Sequence, residues 1–173
     1  ISILAGVTSA RLKQHFALTR VVRVMPNLGA MLGEGITAIA QTRSINAQHM
    51  TIVKKIFNAC GDVVMLPERL FDAVTAISGS GPAYYFYLTE LLIQEARKAG
   101  MSRAIAEHLA ITTAKAASTM MKEGRSRPEE LRTMVTSKGG TTHAAISTFI
   151  DKGFPPAVST GVAAAIKRSR QLR

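Results

Sequence analysis

Strand-like sequence is confined to the start of the chain, and this limits the fold more than any other feature. Short runs of β-branched and apolar residues, typical of strands, occur at Ile1–Leu4, Val21–Met25, Gly35–Ala40 and Asp62–Leu66. From Pro67 onward the apolar residues recur at helical spacing, and no strand pattern returns. The sequence therefore predicts an α/β portion over residues 1–66 and an all-helical portion over residues 67–173.

Two helices are expected among the predicted strands. The first covers about Ser9–Leu18, between the first two strands. The second covers Ile45–Ala59 and stops before Gly61, a residue type that often follows a helix C-terminus. A strand, a helix and a second strand in succession are typical of a βαβ-like unit, here with a third strand attached.

The rest of the chain is predicted to be helical. Helical periodicity covers Arg69–Thr75, Pro82–Ala99, Arg103–Lys122, Pro128–Met134, Gly140–Asp151 and Pro155–Gln171. Proline stands in the first turn of several of these helices, where its missing N–H would be unpaired anyway. We therefore expect a mostly helical protein.

The helix predicted at Pro82–Ala99 has apolar residues on more than one face. They are Tyr84, Phe86, Leu88, Leu91, Leu92 and Ile93, and the next helix alternates Ala with Ile, Leu and Met. Such helices are buried all round, and a chain of 173 residues can hardly cover them alone. We therefore expect a homodimer through these two helices, or a higher homo-oligomer built from dimers.

Composition and charge exclude several classes of protein. Cys60 is the single cysteine, which excludes an internal disulfide and favours a reducing, cytoplasmic setting. No apolar run approaches the length of a transmembrane helix, so no membrane partner is expected. The net charge of +11 attracts anions, but the Lys and Arg residues are spread along the chain, which argues against a nucleic-acid partner. The histidines show no metal-ligand spacing, and we predict no metal site.

The segment Thr136–Thr142 carries hydroxyl residues, a lysine and two glycines just before a predicted helix. A helix N-terminus presents unpaired N–H groups, and its dipole attracts an anion. Ser137 and the amides of Gly140 and Thr141 are expected to hold a small carboxylate or phosphate, with charge from Lys138. The hydroxyl of Thr142 would then contact a neighbouring polar atom of the ligand. Helix capping by these hydroxyls is the alternative.

Two further segments are candidates for ligand contact. Ser78–Ala83 has glycines that allow close approach of the backbone, and Ser80 or Gly81 lies where unpaired N–H groups open the next helix. A tight helix–helix connection with a Ser cap is the alternative. Met25-Pro26-Asn27 ends a predicted strand, at the edge where α/β folds bind ligands, although an Asn in a turn needs no function.

Four motifs in this order and spacing resemble the pyrroline-5-carboxylate reductase family. They are Arg23–Asn27 followed by Gly33-Glu34-Gly35, then Asp72–Tyr84, then Met134–Thr142, and the resemblance covers nearly the whole chain. It implies a Rossmann domain for NADPH or NADH followed by an all-helical dimerisation domain. The Gly-x-Gly-x-x-Gly pattern is absent, so residues 1–66 correspond to the C-terminal part of that Rossmann domain.

The resemblance also implies a reaction and a role for each candidate residue. Hydride would pass from NAD(P)H to the C=N bond of 1-pyrroline-5-carboxylate, giving L-proline. Thr142 would contact the ring nitrogen and act as the catalytic residue. The substrate-binding residues would be Ser137, Gly139, Gly140, Thr141, Thr142, Ser80, Gly81 and Pro82, and the cofactor-binding residues would be Ala5, Gly6, Met25, Pro26 and Asn27.

The resemblance leaves a second interpretation open. A chain without the main cofactor-binding motif is expected to turn over little or no substrate by itself. A non-catalytic helical dimerisation module of the same ancestry is therefore the alternative to an enzyme.

Overall fold

The computed structural model describes residues 1–42, 44–124 and 126–172. The chain forms two compact units, which we call the sheet unit (Ile1–Ala83 with Ser159–Arg173) and the helical unit (Tyr84–Val158). The domain boundary predicted after Leu66 stays a prediction, and Arg173, the last residue of the predicted helical domain, lies outside the described residues.

The sheet unit contains the strands β1 (Val24–Met25), β2 (Gly35–Ala40) and β3 (Gly61–Leu66), in that order across the sheet. β1 runs antiparallel to β2, and β2 runs parallel to β3. The bounds predicted for β2 are confirmed, and β3 begins one residue before its predicted start.

The strand predicted at Ile1–Leu4 is wrong as a full strand. Among the described residues only Ser2 pairs, in a parallel bridge with Arg23, where its N–H donates to the carbonyl of Val22 at 2.9 Å. The side chains of Ile3 and Leu4 are exposed. A strand needs successive ladder bonds, and among the described residues the ladder bonds of this segment are confined to the N–H and the carbonyl of Ser2.

Two helices of the sheet unit begin at polar caps. α1 (Ser9–His15) starts after Thr8, whose hydroxyl accepts a hydrogen bond from the amide of Arg11 at 3.2 Å. α2 (Ala47–Asn58) starts after Asn46, whose side chain accepts from the amide of His49 at 2.8 Å. α1 ends before the predicted Leu18, because Ala17 has a φ of 50° and cannot continue a right-handed helix.

The sheet separates two apolar clusters. Val22, Val24 and Ile39 face α2 and pack with Val53. Ala38 and Ala40 face the opposite side and pack with Phe71 of α3 (Phe71–Val74). Because neighbouring residues of a strand point to opposite faces, each strand contributes to both clusters.

α3 continues into an unusual turn. A 3₁₀ turn over Glu68–Leu70 precedes α3, and a π-helix over Thr75–Gly79 follows it. α4 (Gly81–Lys98) then begins almost at once. The predicted helix Arg69–Thr75 is therefore extended by a π-helix that the sequence pattern did not predict.

The later helices are α5 (Arg103–Glu123), α6 (Pro128–Met134), α7 (Thr141–Asp151) and α8 (Phe154–Gln171). From α4 to α8 the predicted bounds agree with the structure to within one residue at each end. Among the described residues between 84 and 158, only Ala106 is buried. The apolar side chains predicted to make α4 buried all round are instead exposed in the single chain, except the half-buried Ile93.

Candidate functional site

The loop between α6 and α7 is a compact turn. The amide of Thr136 donates to the carbonyl of Thr133 at 3.1 Å, and the amide of Gly140 donates to the carbonyl of Ser137 at 3.0 Å. Gly139 has a φ of 75°, a left-handed conformation that favours glycine. The predicted Gly-Gly pair thus has one member that the turn requires for its backbone conformation.

The N-terminus of α7 has no side-chain cap. Gly140 is the N-cap residue, with φ −78° and ψ 173°, and no side chain accepts from the first-turn amides. The first amides of a helix have no intrahelical acceptor. Among the described residues, the hydroxyls of Ser137, Thr141 and Thr142 make no hydrogen bond either. Capping by these hydroxyls, the alternative interpretation, does not occur in this structure.

One detail differs from the sequence prediction. The amide of Gly140, expected to bind the anion, already donates to Ser137. The amides of Thr141 and Thr142, in the first turn of the helix, are the donors left for an anion at this end of α7.

Ser137 lies against Gly140. A Cβ atom placed on Gly140 would come within 2.5 Å of the Ser137 hydroxyl oxygen. A hydroxyl this close to the N-cap position lies beside the positive end of the helix dipole, where an anion would be attracted. Lys138 and Gly139 are exposed and Thr142 is half-buried, so the loop presents a hydroxyl, a cation and open backbone to its surroundings.

The second candidate segment, Ser80–Pro82, follows the π-helix in the sheet unit. The amide of Ser80 donates to the carbonyl of Thr75 at 2.7 Å and closes the π-turn. The amide of Ser80 is therefore not one of the unpaired N–H groups that the sequence pattern predicted there. Gly81 is buried and Pro82 half-buried, and together they open α4.

The cofactor candidates gather at one edge of the sheet. The parallel bridge between Ser2 and Arg23 leads Ala5 toward the same edge as Pro26 and Asn27. The side-chain oxygen of Asn27 accepts from the amide of Ile36 at 3.2 Å, which gives this Asn a structural role in the turn. Ala5 is exposed, and Pro26 and Asn27 are half-buried.

Gly6 has a different environment from the other cofactor candidates. It is buried, its φ is 76°, and a Cβ placed on it would lie 2.5 Å from the Cβ of Leu172. Its lack of a side chain lets Leu172, which follows α8, pack against it.

Gly79 was not among the predicted site residues, yet it joins two of the predicted segments. A Cβ placed on Gly79 would lie 2.6 Å from the terminal methyl of Met25. Met25 begins the Met25-Pro26-Asn27 turn, and Gly79 directly precedes Ser80. The sheet unit therefore brings these two segments together, whereas Thr136–Thr142 lies in the helical unit. The cluster of glycines at 79–81 was the only sequence signal for this contact.

A buried polar network in the sheet unit was also not predicted. Arg23 is 2% exposed, and its Nη1 lies 3.3 Å from Glu68 Oε1. The hydroxyl of Ser169 donates to Oδ1 of the buried Asp72 at 2.9 Å. These contacts connect Arg23 and the end of α8 to the segment 68–72. They stabilise the packing of the sheet unit.

The described residues give no sign of a histidine cluster or a metal-binding group. The side chains of His15, His49, His108 and His143 are exposed. Within residues 1–42, 44–124 and 126–172, no three His, Cys, Asp or Glu side chains meet as a metal-binding group. In the same ranges, no helix combines the length and the hydropathy that crossing a membrane requires.

Comparisons with known proteins agree with these motifs. A family model described as pyrroline-5-carboxylate reductase dimerisation matches residues 68–172. The pyrroline-5-carboxylate reductase of Synechocystis is 42% identical over 172 residues, which cover 99% of this chain and 64% of that protein. The reductase of Mycobacterium tuberculosis is 39% identical over 191 residues, covering 100% and 65%. The chain thus spans a little less than two thirds of the length of these relatives.

Solved structures show the same similarity. The crystal structure of Plasmodium falciparum pyrroline carboxylate reductase with NADP bound matches with a TM-score of 0.91 and 30% identity, over 98% of this chain and 69% of that one. The Streptococcus pyogenes reductase matches with a TM-score of 0.93 and 25% identity, over 98% and 66%. These matches confirm the predicted fold class, a Rossmann remnant followed by a helical domain. The chain belongs to the pyrroline-5-carboxylate reductase family.

Proposed function

We propose that the protein containing this chain reduces 1-pyrroline-5-carboxylate to L-proline, the last step of proline biosynthesis. Residues 1–66 would be the C-terminal part of its NAD(P)H-binding Rossmann domain, and residues 67–173 its substrate-binding and dimerisation domain. Family membership supports the reaction type. The observation that carries the proposal is the uncapped N-terminus of α7 beside unpartnered hydroxyls in the described part of the chain.

The substrate carboxylate would bind at this helix end. The amides of Thr141 and Thr142 would donate to its oxygens, and the Ser137 hydroxyl would add a third donor. Gly139 takes the left-handed conformation of the turn, and the missing side chain of Gly140 leaves room for the Ser137 hydroxyl beside the N-cap. Lys138, exposed in the same loop, would raise the local concentration of an anionic substrate.

Thr142 is the residue we assign to the reacting bond. Its hydroxyl would contact the ring nitrogen and hold the imine in one orientation. A protonated imine is already electrophilic, so the chain need not supply a histidine or a pair of carboxylates. Orientation of two bound reactants accounts for most of the rate enhancement in such a case.

NADPH or NADH, when bound, supplies the hydride. Pro26 and Asn27 suit a cofactor because they follow the carboxyl end of β1, and Ala5 follows the segment that pairs in parallel beside Arg23. The Met25 side chain packs against the sheet, and Gly6 is covered by Leu172. These two residues would therefore contribute to the cofactor site by shaping the backbone of their neighbours. The chain itself has no Gly-x-Gly-x-x-Gly pattern.

The helical unit would form a homodimer. Its largest apolar side chains on α4 are exposed in the single chain, with Tyr85 at 62%, Phe86 at 60% and Tyr87 at 60%. An apolar surface of this extent marks an interaction site rather than a solvated face. We propose that α4 and α5 pack against the same helices of a second copy. A cytoplasmic location stays a prediction from the sequence.

The reaction can be tested with the complete protein that contains this chain. NADPH oxidation should depend on added 1-pyrroline-5-carboxylate, and L-proline should accumulate in equal amount. Residues 1–173 produced alone should show no turnover. A complete protein that dimerises but oxidises no NADPH and no NADH with this substrate would contradict the proposal and favour the non-catalytic module.

A further inference from the structure

We propose that an apolar groove between the sheet and the segment 70–78 is covered in the homodimer by apolar side chains of a second copy of this chain. We call it the α3 groove. This inference rests on the proposed function, which includes a homodimer through α4 and α5. It extends the interface between the two copies from the helical unit to the sheet unit.

The floor of the α3 groove is one face of two neighbouring strands. Ile36 and Ala38 of β2 and Val64 and Leu66 of β3 line it, and Ala38 pairs with Val64 in the parallel register. Alternate residues of a strand point to the same side, so these four side chains form one apolar surface. α2 packs against the other face of the sheet. The groove is therefore on the face that α2 does not cover.

The wall of the α3 groove is a stripe along the turns that surround α3. Leu70, Ala73, Val74, Ile77 and Ser78 line it, at the spacing of three or four residues that places side chains on one helical face. The hydroxyl of Ser78 donates to the carbonyl of Val74 at 3.0 Å. The lining side chains thus carry no charge, and their single hydroxyl already has an acceptor. This lining favours an apolar occupant.

The α3 groove is open in the single chain. Its volume is about 320 Å³. A cavity of about 150 Å³ accepts one benzene-sized group, so about two large side chains would fill the groove. Three of its apolar residues are exposed, with Ile36 at 38%, Leu70 at 36% and Ile77 at 61%. Apolar side chains exposed together around a groove mark an interaction site.

A second copy is the occupant that the chain itself points to. The family match described as dimerisation covers residues 68–172, and five of the nine residues that line the groove lie in this range. α4, the helix of the proposed interface, begins at Gly81, three residues after Ser78. The helical unit of a second copy offers large exposed side chains such as Tyr85 and Phe86. Interfaces of homodimers are enriched in such apolar and aromatic groups.

Ile77→Cys in the complete protein reports whether the groove is covered. The introduced thiol should react with a maleimide at least about tenfold more slowly in the dimer than in the Phe86→Glu background, which we expect to be monomeric, because a packed interface excludes the reagent. Mass spectrometry of the peptide that contains residue 77 measures the rate. Ile52→Cys is the matched control, since Ile52 is 51% exposed on α2, and its thiol should react equally fast in both forms.

Ile77→Asp tests how much the groove contributes to dimer stability. It should raise the dimer dissociation constant at least about tenfold, because an unpaired carboxylate in an apolar interface is unfavourable. Ile52→Asp makes the same change on the other face of the sheet and should keep the constant within about twofold. Sedimentation velocity over a dilution series measures both. Unfolding temperatures check that the two variants are folded.

The outcomes separate this inference from the proposed function. A thiol at position 77 that reacts slowly in both forms shows that the complete chain covers its own groove, and one that reacts fast in both shows that nothing covers it. Either result overturns the inference, as does an unchanged dissociation constant in Ile77→Asp, which decides alone if Phe86→Glu stays dimeric. A dimer with a protected thiol but no NADPH oxidation supports the groove and contradicts the proposed reaction. An active monomer contradicts the groove and leaves the reaction standing.

Discussion

At the scale of single residues, the candidate chemistry depends on hydroxyls that the protein itself does not use. Several helical threonines donate to a carbonyl four residues earlier, as Thr89, Thr133 and Thr148 do. Thr142 and Ser137 make no such bond in the described part of the chain. A hydroxyl left without a protein partner beside a helix N-terminus is available to a ligand.

Thr142→Ala should lower kcat/KM for 1-pyrroline-5-carboxylate. A hydrogen bond to a charged group contributes about 1.5–3 kcal/mol, which corresponds to about a tenfold to hundredfold loss. Thr142→Ser keeps the hydroxyl and should retain most of the activity. Kinetics of the complete protein test this, and equal values for the wild type and Thr142→Ala would reject the role of Thr142.

Lys138 should act on substrate capture through its charge. Lys138→Gln should lower kcat/KM about twofold to threefold at low ionic strength, because the exposed cation attracts an anionic substrate. At about 1 M salt, where the screening length is about 3 Å, the difference should disappear. Lys122→Gln, outside the loop, is a control of the same charge change. A Lys138 effect that does not depend on salt would argue against steering.

At the scale of elements, the end of α8 is attached to the sheet unit by polar contacts. Ser169 donates to Asp72, Arg170 Nε lies 3.7 Å from Asp72 Oδ2, and Leu172 packs on Gly6. Asp72 is only 3% exposed, so its carboxylate depends on protein partners instead of water. Through these contacts the C-terminal end of α8 belongs to the sheet unit.

Ser169→Ala should destabilise the protein by about 1–3 kcal/mol, because it removes a donor from a buried carboxylate. Ser159→Ala, an exposed position on the same helix, should change stability by less than about 0.5 kcal/mol. Urea unfolding of the complete protein measures both free energies. Equal stabilities of the two variants would show that the Ser169–Asp72 bond contributes nothing.

At the scale of the whole molecule, the described residues of the helical unit form no buried core of their own. Its described residues bury only Ala106, whereas the sheet unit buries both faces of a three-stranded sheet. Packed helices without a covered apolar side are stable only when another surface covers them. We therefore expect the free energy of unfolding of the helical unit to increase with protein concentration.

Phe86→Glu should convert the dimer into monomers. The substitution places a charge on an apolar surface that we expect to be buried between subunits, where an unpaired carboxylate is strongly unfavourable. Phe86→Leu keeps the apolar character and should remain dimeric. Sedimentation velocity distinguishes the two states, and a dimeric Phe86→Glu protein would place the interface elsewhere.

The sequence alone determined the order of the elements and the position of the loop at residues 135–140 before α7. Periodicity and local caps act over a few residues, so the bounds of β2 and of the helices from α4 to α8 could be read directly. The Gly-Gly turn before α7 is equally local, and its neighbours Ser137 and Thr142 could be proposed as ligand contacts for that reason.

Only the tertiary structure decided contacts between residues far apart in the chain. Ile1–Leu4 has a strand pattern, but one bridge at Ser2 is all that the described neighbours provide. The π-turn, the Met25–Gly79 contact and the Ser169–Asp72 bond result from how separate elements pack against each other. Such packing depends on which surfaces meet in three dimensions, and the local sequence pattern does not contain that information.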